Sequence, residues 1–294
     1  MNILGIIGYP IGHTLSPLMH NTAIKQLGID YIYFPFEVKK GNIRIAIGGL
    51  KGLGIKGINV TIPHKESVIP YLDSLDEDAR LIGAVNTIKL DGDKLNGYNT
   101  DGRGFSESLK RDAHEEVKGR SVVILGAGGA ARAIAIQIAL EGAERIVIAN
   151  RTIERGEKLA GYINAKCKMQ SAKCKVKTVS LKDNSLVEYF READIIINTT
   201  PVGMKGYNQL LFAYDYISNR HLVCDIVYRP LETKLLKEAD KKGARTLNGL
   251  GMLVYQGSLS FKIWTGYEMP VEVVKKTLME ELSKEKFRKR RTNT

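Results

Sequence analysis

Two short motifs carry a chemically useful side chain at nearly every position: Asn59-Val60-Thr61-Ile62-Pro63-His64-Lys65 and Asn99-Thr100-Asp101-Gly102. A strand-like run from Ile55 to Ile62 ends in hydroxyl, proline and lysine, which brings Lys65 to the edge of a sheet, where α/β proteins form ligand clefts. A lysine oriented by a carboxylate such as Asp101 can give and take a proton, the general acid/base equipment of a dehydrogenase or an isomerase. Each residue alone has an ordinary explanation. Lysines are mostly solvated surface charges, and Asn-Thr-Asp-Gly is good turn chemistry. It is the pair, in company with the motifs below, that suggests a site.

A second constellation begins at Gly126-Ala127-Gly128-Gly129-Ala130-Ala131, between the buried-strand run Ser121 to Leu125 and the helix-like stretch Arg132 to Glu141. Glycines in that context let backbone approach a pyrophosphate, and the following helix start supplies N–H groups and positive potential. The next strand, Arg145 to Ala149, ends in Asn150-Arg151-Thr152 with Arg155 beyond. NAD sites place Asp or Glu there for the ribose hydroxyls, whereas two guanidiniums and a hydroxyl suit a 2′-phosphate. A charge-assisted hydrogen bond of roughly 1.5–3 kcal/mol gives about tenfold to a hundredfold per contact in favour of NADP. Near the N-terminus, Thr14 and Ser16 place two hydroxyls ahead of Pro17. Ser16 reads as an N-cap, Thr14 has no such structural use, and both offer donors to a carboxylate.

The elements that must position these residues alternate. Ile3 to Gly8 reads as a strand, Pro17 to Leu27 as a helix, Tyr31 to Val38 as a strand and Ile43 to Lys51 as a helix. A helix from about His64 follows the Ile62 strand, then a β-pair at Ala84 to Leu90 and Lys94 to Tyr98 joined by Asp91-Gly92-Asp93. After Gly119 the strand–helix repeat continues through Lys175 to Ser180, Asp194 to Asn198, Leu222 to Val227 and Ala244 to Leu247, the rhythm of a doubly wound sheet. Lys166 to Lys175 reads as a polar loop. Leu250 to Trp264 and Val271 to about Lys286 read as two closing helices that return to the first domain, Val274, Leu278 and Leu282 marking one face.

At 294 residues the chain is long enough for two domains. It has no apolar run of membrane-spanning length, and the segment from Met1 does not read as a signal peptide. Cys167, Cys174 and Cys224 lack CxxC spacing, so neither a disulfide framework nor a zinc site is expected, and the compartment reads as the reducing cytosol. The histidines show no HxxxH or HExxH spacing, so no metal is expected. Of the net charge of +12, the run from 284 to 291 holds six basic residues and one acidic, a helix end that frays into solvent. The remainder is spread along the chain, which suits anionic small molecules rather than nucleic acid.

Taken together, these motifs resemble shikimate dehydrogenases of the shikimate/quinate dehydrogenase family. The resemblance rests on Gly8 to Asn21, Asn59 to Lys65, Gly83 to Thr87, Asn99 to Gly102, Gly126 to Ala131, Asn150 to Arg155, Asn198 to Met204, Asp225 to Tyr228 and Asn248 to Gln256, in order along nearly the whole chain. It implies an α/β fold of two domains. A substrate domain with a mostly parallel sheet would comprise 1–103 plus 250–294, and a Rossmann-type doubly wound NADP domain 104–249, with substrate in the cleft between them. It further implies Lys65 and Asp101 as the catalytic pair. Thr14 and Ser16 would hold the substrate carboxylate, and Thr61, Asn86, Tyr228 and Gln256 would contact the ring hydroxyls or carboxylate. Gly126, Ala127, Gly128, Gly129, Ala130, Asn150, Arg151, Thr152 and Arg155 would bind NADP, Ile226, Gly249 and Met252 would lie near its nicotinamide, and Glu77 near the cofactor. The implied reaction is the reversible reduction of 3-dehydroshikimate to shikimate by NADPH, a cytoplasmic step toward chorismate and the aromatic amino acids. Either a monomer or a homodimer is compatible with the sequence. The family's usual first hydroxyl is serine, and Thr14 adds a methyl that crowds the pocket. That keeps open a quinate/shikimate enzyme of relaxed substrate and cofactor choice; an NADP-sensing module without catalysis is the alternative of another class.

Overall fold

A computed structural model describes residues 1–170, 173–204, 206–207 and 209–291, with backbone only at 169 and 285–291. Most of the basic run from 284 to 291 and the tail beyond it therefore lie outside the described side chains. The chain divides into two compact units, one of Met1–Asp101 with Val254–Thr294, the other of Gly102–Leu253.

The first unit opens with β1 (Asn2–Gly8), α1 (Ser16–Leu27), β2 (Tyr31–Glu37), α2 (Ile43–Gly52) and β3 (Gly57–Val60). It continues with β4 (Ser74–Leu75), α3 (Glu77–Ile82), β5 (Thr87–Asp91) and β6 (Lys94–Tyr98). The strands form one sheet in the order β2-β1-β3-β5-β6-β4. β1 runs parallel to β2 and β3, and β4 parallel to β6, while β5 pairs antiparallel with both β3 and β6. The reversal between β5 and β6 uses Gly92 at φ +57°, a left-handed turn position that glycine adopts without strain. The β3–β5 register sets Asn59 opposite Thr87.

One face of this sheet packs on Ile43, Ile47 and Leu50, which recur at three- and four-residue steps along α2. Against Gly57 lies the ring of Trp264, so close that a Cβ there would come within 2.2 Å of it. The Trp264 indole N–H donates to the Ile88 carbonyl at 2.8 Å.

The helix expected from His64 is absent. After Val60 the chain runs through turns to a single 3-10 turn at Ile69–Tyr71. Pro63 and Pro70 each lack the N–H that a continuous helix would use. In its place the buried His64 ring sets Nε2 2.6 Å from the Val38 carbonyl, and Val85 N–H donates to the Lys65 carbonyl at 2.7 Å. Lys65 thus rides on a turn tied down from both sides.

The second unit contains α4 (Asp101–Asp112, its first residue counted with the first unit), β7 (Ser121–Leu125), α5 (Gly129–Leu140), β8 (Arg145–Asn150) and α6 (Ile153–Met169). Then come β9 (Lys175–Ser180), α7 (Leu186–Glu192), β10 (Ile195–Asn198), β11 (Leu222–Asp225), α8 (Lys234–Lys241) and β12 (Arg245–Leu247). All its strand pairs are parallel, in the order β12-β11-β10-β7-β8-β9. Numbered from β7, this is the 3-2-1-4-5-6 arrangement of a dinucleotide-binding sheet, whose ligand crevice opens where the order reverses, between β7 and β10. The residues expected as a polar loop from Lys166 are helical as far as Met169. The closing helices are α9 (Leu250–Thr265) and α10 (Val271–Arg291).

Candidate active site

Lys65 Nζ donates to Asp101 Oδ2 at 2.5 Å, with the lysine side chain 20% and the aspartate side chain 7% exposed. Asp101 is not a turn residue. It occupies the first turn of α4, where the N–H groups of the helix start favour a negative charge. Its N–H donates to Asn99 Oδ1 at 3.0 Å, and Asn99 Nδ2 in turn donates to the Ala84 carbonyl at 2.9 Å, fixing the helix entry. The second carboxylate oxygen, Oδ1, accepts from Asn86 Nδ2 at 2.9 Å. Asn86 Nδ2 also lies 3.3 Å from Gln256 Oε1 on α9. Four residues expected to work together, Lys65, Asp101, Asn86 and Gln256, therefore form one hydrogen-bonded group within the first unit.

Around Asn86 lies a buried polar cluster of Tyr33, Asn59, Thr87, Thr100 and Ser260, each no more than 5% exposed; three of them lie in the motifs above, but none takes a role from sequence alone. Two signals were available. Asn59 interrupts an otherwise apolar strand, and Ser260 lies four residues after Gln256, on the same helical face.

Thr14 and Ser16 are joined: Thr14 Oγ1 donates to Ser16 Oγ at 3.1 Å and accepts from Ser16 N–H at 3.2 Å. The cap expected at Ser16 falls instead to Leu15, which contributes no side-chain bond, and Thr14 does have a structural use, closing a local turn onto the Ser16 N–H. Thr61 is half-buried just past β3, its N–H on the Ile7 carbonyl at 2.9 Å. Glu77 is exposed in the first turn of α3, where an acidic residue complements the helix dipole.

In the second unit, Gly126 has φ +108°, and a Cβ there would meet Thr199 Oγ1 at 2.7 Å, so only glycine fits. Gly128 and Gly129 face open space, and the start of α5 carries no side-chain cap and no acidic residue in its first turn. Those helix-start N–H groups suit a phosphate. At the end of β8, Asn150 Nδ2 donates to the Thr152 carbonyl at 2.7 Å and shapes the turn, which leaves Arg151, Thr152 and Arg155 exposed. Ile226, Gly249 and Met252 line one crevice with Phe105, Ser108, Cys224, Asp225, Leu247 and Asn248. Gly249 is packed so tightly that an added Cβ would lie 2.1 Å from the Ile226 carbonyl oxygen. Tyr228, half-buried just past β11, belongs to this unit, and burial raises its phenol pKa. Among the described residues no group of His, Cys, Asp and Glu could hold a metal ion, and no helix is long and apolar enough to cross a membrane.

Three family matches span most of the chain: the shikimate dehydrogenase substrate binding domain over 6–88, shikimate/quinate 5-dehydrogenase over 108–204, and the shikimate 5′-dehydrogenase C-terminal domain over 249–279. The shikimate dehydrogenase (NADP(+)) of Methanopyrus kandleri is 46% identical over 283 residues, covering 96% of each chain. This chain belongs to the shikimate dehydrogenase family. A crystal structure of a shikimate dehydrogenase in complex with NADP+ matches it with a TM-score of 0.88 at 44% identity, covering 96% of both chains. The shikimate 5-dehydrogenase of Listeria monocytogenes, solved with shikimate and NAD, matches with a TM-score of 0.88 at 40% identity, over 95% of this chain and 96% of that one. The two mostly parallel sheets described above are thus those of the shikimate dehydrogenase fold.

Proposed function

We propose that this chain is an NADP-dependent oxidoreductase that interconverts 3-dehydroshikimate and shikimate, in the pathway to chorismate and the aromatic amino acids. The observation that carries the reading is the Lys65–Asp101 contact, with Asn86 holding the second carboxylate oxygen.

NADPH, when bound, supplies the hydride that adds to the substrate carbonyl carbon. Lys65 gives its proton to the carbonyl oxygen as that oxygen gains the electron pair of the former π bond, and takes it back in the reverse direction. Asp101 keeps the ammonium aimed and balances its charge. Thr14 and Ser16 turn their hydroxyls to the substrate carboxylate, and Thr61, Asn86, Gln256 and Tyr228 contact the ring hydroxyls or carboxylate. The Gly126–Ala130 turn and the uncapped start of α5 fit a pyrophosphate, and Asn150, Arg151, Thr152 and Arg155 fit a 2′-phosphate. Ile226, Gly249 and Met252 shape the nicotinamide end, with Glu77 near the cofactor. Three free cysteines, two of them buried, suit work in the cytoplasm.

Initial rates with shikimate and with quinate, each against NADP+ and NAD+, test the reading. Shikimate with NADP+ should be turned over fastest, and Lys65→Ala should cut that turnover by at least roughly 10² while leaving shikimate binding largely intact. Unchanged turnover in Lys65→Ala would remove the lysine from the mechanism. Comparable quinate rates would shift the substrate reading toward the relaxed enzyme that Thr14 keeps open.

A further inference from the structure

The polar cluster behind Asn86 is not a loose pool of hydroxyls, because its donors and acceptors permit a direction. Tyr33 OH lies 2.7 Å from Asn59 Oδ1, an atom that can only accept, so the phenol donates. Asn59 Nδ2 can only donate, and its two protons are shared among the Asn86 carbonyl at 3.1 Å and Thr87 Oγ1 and Ser260 Oγ, each at 3.2 Å. Asn86 Oδ1, 3.0 Å from Thr87 Oγ1, can only accept, so in this contact the Thr87 hydroxyl is the donor. The backbone N–H of Thr100 donates to the same Oδ1 at 2.9 Å, which identifies it as the oxygen end of the amide. The Asn86 NH2 group is thereby turned outward, to Asp101 Oδ1 and, at 2.8 Å, to Thr100 Oγ1. On the other branch, with the Thr87 proton on Asn86, the 2.7 Å contact is one in which Ser260 Oγ donates to Thr87 Oγ1, and Ser260 can accept from Thr100 Oγ1 at 3.3 Å. The main chain of bonds starts at a phenol that burial keeps protonated and ends at a carboxylate that can only accept.

We infer that Thr87 is a positioning residue for the acid/base pair: with Tyr33 and Asn59 behind it, its hydroxyl holds the Asn86 amide so that an N–H faces Asp101. Thr87 is 0% exposed, so it acts on the reaction only through Asn86 and Asp101. The inference rests on the catalytic reading of Lys65 and Asp101 given above. Thr87→Val keeps the side-chain shape and removes the hydroxyl, whereas Thr87→Ser keeps the hydroxyl and loses a methyl. Only the first breaks the chain of donors. A side chain that merely filled space would respond in the opposite order, valine being the better filler.

The experiment measures kcat and KM for shikimate with saturating NADP+ in the unaltered protein, Thr87→Val, Thr87→Ser and Tyr33→Phe, with NADP+ affinity measured separately by fluorescence titration. The expected result is a kcat lowered about tenfold in Thr87→Val, the effect of one lost positioning hydrogen bond. KM should move by less than about threefold, NADP+ affinity should be unchanged, and Thr87→Ser should recover most of the rate. Tyr33→Phe removes one proton at the start of the chain, keeps the ring, and should lower kcat in the same direction; it carries the test if Thr87→Val does not fold. Full kcat in folded Thr87→Val, or in Tyr33→Phe where that variant stands in, would overturn the inference, as would a Thr87→Ser no better than valine. An unaltered protein that does not turn over shikimate would instead overturn the catalytic reading on which it rests.

Discussion

Arg151 and Arg155 are the residues whose ordinary and functional explanations differ most sharply in what they predict. Both are exposed near the start of α6, and Asn150 is already engaged in shaping the turn before them. An arginine with only solvation to do would be replaceable at no cost in nucleotide choice. One that reads a 2′-phosphate makes charge-assisted contacts that NAD+ cannot offer. Arg151→Ala is therefore expected to weaken NADP+ binding by about tenfold or more while changing NAD+ affinity little, as measured by titrating each nucleotide. Equal losses would show that the residue does not discriminate. Lys65, Asp101 and Asn86 were legible in the sequence because each sits in a short motif of residues with obvious chemical uses. Tyr33 and Ser260 were not, and the roles of Asn59 and Thr87 were not although both lie within the motifs, because a polar side chain inside an apolar element acquires its meaning only from its partner. The partner of Asn59 on α9 lies 201 positions away in sequence.

Among the elements, strands and glycine turns were read well, since buried strands show as apolar runs and the Gly126 turn permits no side chain. Asn99 to Gly102 offers turn chemistry where α4 in fact begins, and the segment after His64 reads as a helix that is not formed; each has a local cause. Asn-Thr-Asp-Gly is equally good as a helix entry and as a turn, with Asn99 supporting the entry by accepting from the Asp101 N–H. Pro63 and Pro70 outweigh the helix-forming residues between them. A further element-scale device lies at the carboxyl ends of β10 and β11. Asp225 Oδ1 accepts from Asn198 Nδ2 at 2.9 Å and from Val227 N–H at 3.1 Å, and Oδ2 accepts from Thr233 Oγ1 at 2.7 Å, at the cap of α8. Burial outweighs these bonds and pushes the carboxyl up to about 6. A carboxyl raised on folding adds stability below its unfolded value, near 4, and that stability is lost as pH rises through about 6. At pH 7 the ionised group costs up to about 3 kcal/mol relative to a neutral one. Asp225→Asn keeps an acceptor for Asn198 and Val227 and turns its NH2 toward Thr233 Oγ1, which can accept. It should match or exceed the parent's Tm at pH 7, with the advantage fading by pH 4.5. A variant equally destabilised at both pH values would show that Asp225 does not change its ionisation between them, against a carboxyl raised by burial.

At the scale of the whole molecule, each unit carries a buried histidine whose protonation folding opposes. In the second unit burial lowers the His221 pKa, and the raised Asp225 works in the opposite sense as pH falls. In the first unit His20 is fully buried, its ring stacked on Tyr33 at 4.3 Å with both ring nitrogens lacking a hydrogen bond, and burial lowers its pKa to about 3. A histidine depressed on folding contributes stability that is complete above its unfolded value, near 6.5, and is lost as pH falls toward the folded one. The slope is about 1.4 kcal/mol per pH unit, so between pH 7 and pH 5 this one residue should account for about 2 kcal/mol of acid destabilisation. His20→Phe keeps a stacking ring and removes the titration. Its larger ring will cost about 1–3 kcal/mol of packing at every pH, but that offset does not alter the slope. Urea unfolding of parent and variant at both pH values separates the two effects. The gap between them should close by about 2 kcal/mol at pH 5, whereas parallel losses would mean that His20 takes its proton in the folded protein and that the carboxylates set the acid limit.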